Sequence, residues 1–257
     1  MNDDIRQIEV NSLQEYLDAI NRIENEFEFE KIWFRGIADE SYGLEPSLYR
    51  KADDPIIEKQ LLNRFKTRSH PFIDDKGEKS YWEWLFIMQH FGVPTRLLDW
   101  SESALLGLAF AVIYREEKHV DKDAAVWCLD PLKLNRDFTK GLKPEEPIPS
   151  ITDTSVKKIM AYQDHEIPVD FPISVYGPLN NVRIVAQKGV FTLFPFKKIF
   201  KLEDLEVAEN FLIKINIAQE DVLEIKQQLI MMGITENNVY PGLDSIAQEI
   251  NREILNA

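Results

Sequence analysis

The sequence predicts an α+β fold, a single domain over residues 1–257 with a mixed or antiparallel sheet and surrounding helices. Three observations predict it. Hydrophobic residues make up 44% of the 257, enough for a packed core. Apolar runs of strand length and of helix length are interspersed without clean β-α-β repeats, which disfavours a doubly wound sheet. No repeat, low-complexity stretch or compositional shift marks a domain boundary, and the weakest point is a long loop expected over residues 133–149.

Taken in order, Ile5 to Val10 reads as a short strand. Asn11 or Ser12 can cap a helix to about Glu26, because Leu13, Tyr16, Leu17, Ile20 and Ile23 recur at helical spacing. Lys31 to Phe34 reads as a strand with Arg35 and Gly36 at its end. Ile56 to Ser69 and Lys79 to Phe91 read as helices. Gly92 suits a left-handed residue after the second, and Pro94 forbids its continuation. Ser101 is the expected cap of the next helix, whose interior from Ala104 to Ala111 is apolar nearly all round and therefore central. Gly107 and Ala111, four apart, permit close approach of another backbone. Further on, Ala125 to Leu129 reads as a strand and Thr154 to Gln163 as a short helix. Asn181 to Ala186, Val190 to Phe194 and Phe211 to Ile217 read as strands. Ala218 to Met232 and Leu243 to Leu255 read as the last helices.

The formal net charge of −14 argues against an extended nucleic-acid surface, which needs a basic face. A small local cationic cleft stays compatible with it. Cys128, the only cysteine, cannot form an intramolecular disulfide or a cysteine zinc site, and its apolar neighbours mark a buried strand thiol. No metal set appears: His-Glu-x-x-His is absent, and His70, His119 and His165 stand apart from any carboxylate pattern at ligand spacing. The start carries no basic, apolar leader, and the longest apolar stretch, Ala104 to Tyr114, is too short to span a bilayer. Cytoplasmic residence without membrane contact is the resulting expectation.

Two segments concentrate polar chemistry. In Trp33-Phe34-Arg35-Gly36, a planar cation sits at the edge of a core beside a residue that lets a ligand approach the backbone. That suits a phosphate or carboxylate, or equally an internal pair with Asp99 or Glu45. In His90 to Trp100, the side chains of His90, Thr95, Arg96 and Asp99 ride on a helix end, a forced loop and an expected helix start. Asp99 would there cap the new helix and pair with Arg96, or face a ligand. A third reading joins Arg35, Arg96 and Asp99 in one buried ionic network. Arg183 and Gln187 add polar groups to an apolar stretch expected to be a hairpin.

These segments together resemble the FRG domain family, named for a Phe/Tyr-Arg-Gly motif. The resemblance rests on Trp33-Phe34-Arg35-Gly36, the run Gln89 to Trp100 and the small-residue helix through Ala109-Phe110-Ala111. Arg183 to Phe191 and Tyr240-Pro241-Gly242-Leu243-Asp244 extend it over nearly the whole chain. Some such domains resemble components of bacterial phage-defence loci. Phe34-Arg35-Gly36 is also similar to the aromatic-Arg-Gly of many ADP-ribosyltransferases, whose arginine holds a phosphate of NAD. That similarity implies a nucleotide or nucleotide-bearing substrate and NAD as cofactor. Taken with the residues' own chemistry, it leads to the expectation of Arg35, Gly36, Thr95 and Arg96 as binding residues and His90, Asp99 and Gln187 as catalytic ones. The chain departs from those transferases in two ways. Gln187 stands where a glutamate polarises the nicotinamide ribose, and the Ser-Thr-Ser element is missing. An amide carries no negative charge, so the acid would be Asp99 or the reaction would not be transfer. The competing expectation is a non-catalytic sensor or binding module for a nucleotide or phage component.

Overall fold

The computed structural model describes residues 5–54, 56–73, 77, 79–113, 115–138, 146–151, 156, 171–178, 182–196 and 199–255. Its strands are β1 (Arg6–Val10), β2 (Trp33–Ile37), β3 (Leu97–Ser101), β4 (Ala124–Leu129), β5 (Ile173–Val175), β6 (Gly189–Leu193) and β7 (Leu212–Ile217). They form one mixed sheet in the order β1-β7-β4-β2-β3-β6-β5. Only the β1–β7 pairing is parallel. The helices among the described residues are α1 (Leu13–Glu26), α2 (Ser47–Lys51), α3 (Ile57–Ser69), α4 (Tyr81–His90) and α5 (Ala104–Val112). They continue with α6 (Pro131–Phe138), α7 (Val182–Ala186), α8 (Gln219–Met231), α9 (Glu236–Val239) and α10 (Leu243–Leu255). The fold class is α+β, as the interspersed periodicities predict.

The central strands are buried on both faces, so their side chains sort by alternation. Phe34, Val126, Cys128, Ile213 and Ile215 face the layer made by α1, α5 and α8. Trp33, Ile37, Trp127, Leu98 and Trp100 face the opposite layer, which α2 and α6 close with Leu48 and Leu134. A third cluster packs α4, through Trp82, Leu85 and Phe86, against Leu97, Phe191 and Leu193.

Helix α5 lies directly on β2. A Cβ on Gly36 would fall 2.0 Å from the carbonyl oxygen of Gly107 and 2.6 Å from the backbone nitrogen of Ala111. The close approach read from Gly107 and Ala111 is therefore real, and its partner is β2. Gly36 makes room for a helix where the sequence suggested room for a ligand.

Four local expectations are corrected. Leu97–Ser101 is a strand, so Asp99 lies in mid-strand and caps no helix; Ser103 caps α5, its hydroxyl accepting from Leu106 N. Residues 182–186 are helical, not extended. Pro131–Phe138 is a helix that takes up the beginning of the expected loop, and Asp130 accepts from Leu132 N and Lys133 N at its start. Strand β5 was not anticipated. The helix expected over Thr154 to Gln163 lies outside the described residues except for Val156. Gly92 adopts φ 73°, the left-handed conformation expected of it. Among the described residues no helix is long and apolar enough to cross a membrane.

Candidate functional site

The sheet opens between β2 and β3. Strand β2 pairs with β4 from Trp33 to Ile37, but registers with β3 only through Phe34 opposite Ser101. Continuing that register would set Gly36 against Asp99 and join their backbones. Instead the Asp99 carbonyl accepts from Arg35 Nη1 at 2.6 Å. The arginine side chain takes the place of a ladder bond and holds the seam apart.

A cleft of about 270 Å³ occupies the seam. Its walls are β2 from Phe34 to Ile37 with the following Ala38, and β3 from Asp99 to Ser101. Phe110, Tyr42, Arg183, Gln187 and Tyr240 complete it. A smaller hollow, lined by Gln89, His90 and Phe86, adjoins it and shares Asp99, Trp100, Arg183 and Gln187. His90 and Arg183 also line a third, wider recess floored by Tyr240, Pro241 and Gly242.

Two guanidinium groups dominate the electrostatics. Arg35 Nε is buried and has no hydrogen-bond partner among the described residues. Burial is the main force lowering the Arg35 pKa; Asp99 opposes that shift and Arg50 adds to it. Arg183 lies 4.2 Å over the Tyr240 ring and forms no ion pair among the described residues. Asp99 is the cleft's only carboxylate among the described residues. Its Oδ2 accepts from Gln89 Nε2 at 2.8 Å, and Gln89 in turn accepts from the Thr95 hydroxyl. Burial, followed by the Arg183 charge, lowers the His90 pKa and favours the neutral ring. His90 Nδ1 is buried without a partner among the described residues. Gln187 donates its side-chain amide to the Val239 carbonyl.

The sequence candidates therefore divide. Arg35, Gly36, Asp99 and Gln187 meet in one cleft, and His90 stands in the adjoining hollow. Thr95 and Arg96 are sealed in the core with no exposed surface. Arg96 pairs with Glu58 through Nε at 3.1 Å, its backbone nitrogen donates to the same carboxylate at 2.9 Å, and its guanidinium lies 4.6 Å over Phe196. Thr95 accepts from Leu97 N and reaches the cleft only through Gln89. Among the described residues no ion pair or hydrogen bond links Arg35, Arg96 and the Asp99 carboxylate into one network.

Sequence reasoning left Arg183, Tyr240 and Tyr42 out of the site. Arg183 and Gln187 are four apart and share a face once the segment is helical; Gln187 N closes that turn on the Arg183 carbonyl at 2.9 Å. Reading the segment as a strand hid this. Among the described residues no group of three or more His, Cys, Asp or Glu could hold a metal ion.

The comparison with protein families bears on the seam directly. The FRG domain model matches residues 30–120, which span β2, β3 and α5. The chain contains an FRG domain. The matched segment supplies both walls of the seam and the helix that packs on Gly36, while Arg183, Gln187 and Tyr240 come from beyond it. No curated protein matches the chain, and neither does any solved structure.

Proposed function

We propose that the FRG-domain cleft binds a phosphorylated nucleotide and acts on its N-glycosidic bond, with NAD as the ligand that the resemblance implies. One observation carries this reading. Arg35 and Arg183 face one cleft, neither in an ion pair among the described residues and with Asp99 the one acid beside them, in a chain of net charge −14. Two cations left facing a cavity lower their energy by taking up an anion, and a guanidinium fits phosphate oxygens in two-point contact. Tyr42, Phe110 and Tyr240 supply apolar faces beside them, as a base or ribose requires.

The chemistry follows from the remaining groups. In glycosidic cleavage of NAD the ribose C1′–N bond breaks and its electron pair leaves with nicotinamide. The Asp99 carboxylate, oriented by Gln89, stabilises the positive charge developing on C1′. An attacking hydroxyl or water then forms the new C1′–O bond, and its proton passes to the neutral His90 ring in the adjoining hollow. The products of the water reaction are nicotinamide, ADP-ribose and one proton. Calorimetric titration with NAD, alongside chromatographic detection of nicotinamide, tests both parts. Binding with release supports the enzyme; the absence of binding ends the reading.

A second reading rests on Gln187. Its amide cannot ionise and is spent on the Val239 carbonyl, so the cleft lacks a second acid and suits a binding module without turnover. NAD bound and recovered intact would select it. A role in phage defence is the biological setting that the resemblance implies. Plaque counts on cells carrying wild-type or Arg35→Gln protein test it, and equal protection by both would exclude a role for the cleft.

A further inference from the structure

Arg35 lines two cavities. Besides the seam, it borders a recess of about 300 Å³ on the side of the loop before α2, with Tyr42, Glu45, Arg50 and Lys201. Ile37 and Tyr42 also border both spaces, so the two adjoin across the Arg35 side chain. Three cations meet one carboxylate in this recess. Arg50 Nη1 bonds the backbone carbonyl of Glu45 at 2.6 Å and forms no ion pair with it; Lys201 likewise has no ion pair among the described residues. Arg50 lies close enough to repel Arg35. Like charges gathered around the buried Arg35 Nε, which has no hydrogen-bond partner among the described residues, repel one another and favour a further anion beside Glu45.

We propose that Arg50 and Lys201 form a second phosphate subsite beside Arg35, so that the ligand of the cleft carries a diphosphate rather than a single phosphate. The proposal rests on the reading of Arg35 as an anion ligand. A diphosphate placed at Arg35 sends one phosphate toward Arg183 and the seam and the other toward Arg50 and Lys201. The natural ligand class is then a nucleoside diphosphate or a dinucleotide.

The test is calorimetric titration of the full chain with inorganic pyrophosphate and with orthophosphate. The wild type should bind pyrophosphate at least about ten-fold more tightly. The double variant Arg50→Gln/Lys201→Gln should lose this preference and bind the two probes equally. Arg50 is exposed and Lys201 half-buried, so circular dichroism should report an intact fold. Equal affinity in the wild type, or a preference that survives the double substitution, overturns the second subsite. Such a result leaves the nucleotide reading standing if NAD still binds. If Arg35→Gln leaves both probes unaffected, the anion site is not at Arg35 and both readings fall.

Discussion

Replacing Glu58 by Gln removes one charge from the interior and changes almost no volume. The side chains of Glu58 and Arg96 are both 0% exposed. The carboxylate accepts from Arg96 N at 2.9 Å, from Arg96 Nε at 3.1 Å and from the Tyr81 hydroxyl at 2.7 Å. Gln keeps one carbonyl acceptor, so at least one donor must move or go unmet, and Arg96 loses the buried Glu58 charge. Breaking a buried pair from one side costs about 3–5 kcal/mol, a large share of the roughly 5–15 kcal/mol that holds a domain folded. For a chain of this size that lowers the melting temperature by roughly 6–20 °C. Urea unfolding of Glu58→Gln, read by tryptophan fluorescence, measures the loss. The joint change Glu58→Leu/Arg96→Met should recover most of it, because no charge is then stranded. NAD affinity of the folded Glu58→Gln protein should match the wild type. A loss below about 1 kcal/mol, no larger than a typical single substitution, would refute the assignment of Arg96 to the core.

Gly36→Ala should destabilise by at least about 1–3 kcal/mol, as overpacking does, since the added Cβ meets backbone atoms of α5 at 2.0 and 2.6 Å; thermal melts check it. Lowering the pH should expose the His90 linkage. Its folded pKa lies below the unfolded value of about 6.5, so the folded state binds fewer protons. The stability present above that pH is then lost as pH falls toward the folded value. His90→Gln should flatten this part of the stability–pH curve, measured by denaturant titration. Arg183→Gln should weaken NAD binding about ten-fold or more, through loss of a charged donor worth about 1.5–3 kcal/mol.

The sheet's central strands and its buried helix were legible because apolar pattern dominates them. Phe211 to Ile217 and the Ala104 to Ala111 run admit few other placements. The walls of the cleft were harder to read. Leu97-Leu98-Asp99-Trp100 follows Pro94 and precedes two serines, so Asp99 looked like a helix cap, and its strand character comes from long-range pairing with β6. Residues 182–186 carry β-branched side chains yet form a short helix beside β6. Arg96 and Asp99 stand three apart in the chain with opposite fates, because partners far off in sequence decide them. Glu58 claims Arg96, whereas the Asp99 carboxylate stays exposed at the seam. The −14 net charge was no guide to the cleft, where Arg35 and Arg183 outnumber the single acid Asp99 among the described residues.

The central claim is that Arg35 is held in the seam to take an anion. Its most direct measurement is NAD affinity in wild type and Arg35→Gln, compared with melting temperature on the same samples. Losing one or more charge-assisted hydrogen bonds should weaken binding about 10- to 150-fold while the fold persists, since among the described residues Arg35 donates to a single backbone carbonyl. Unchanged affinity, or collapse of the fold, would contradict the account.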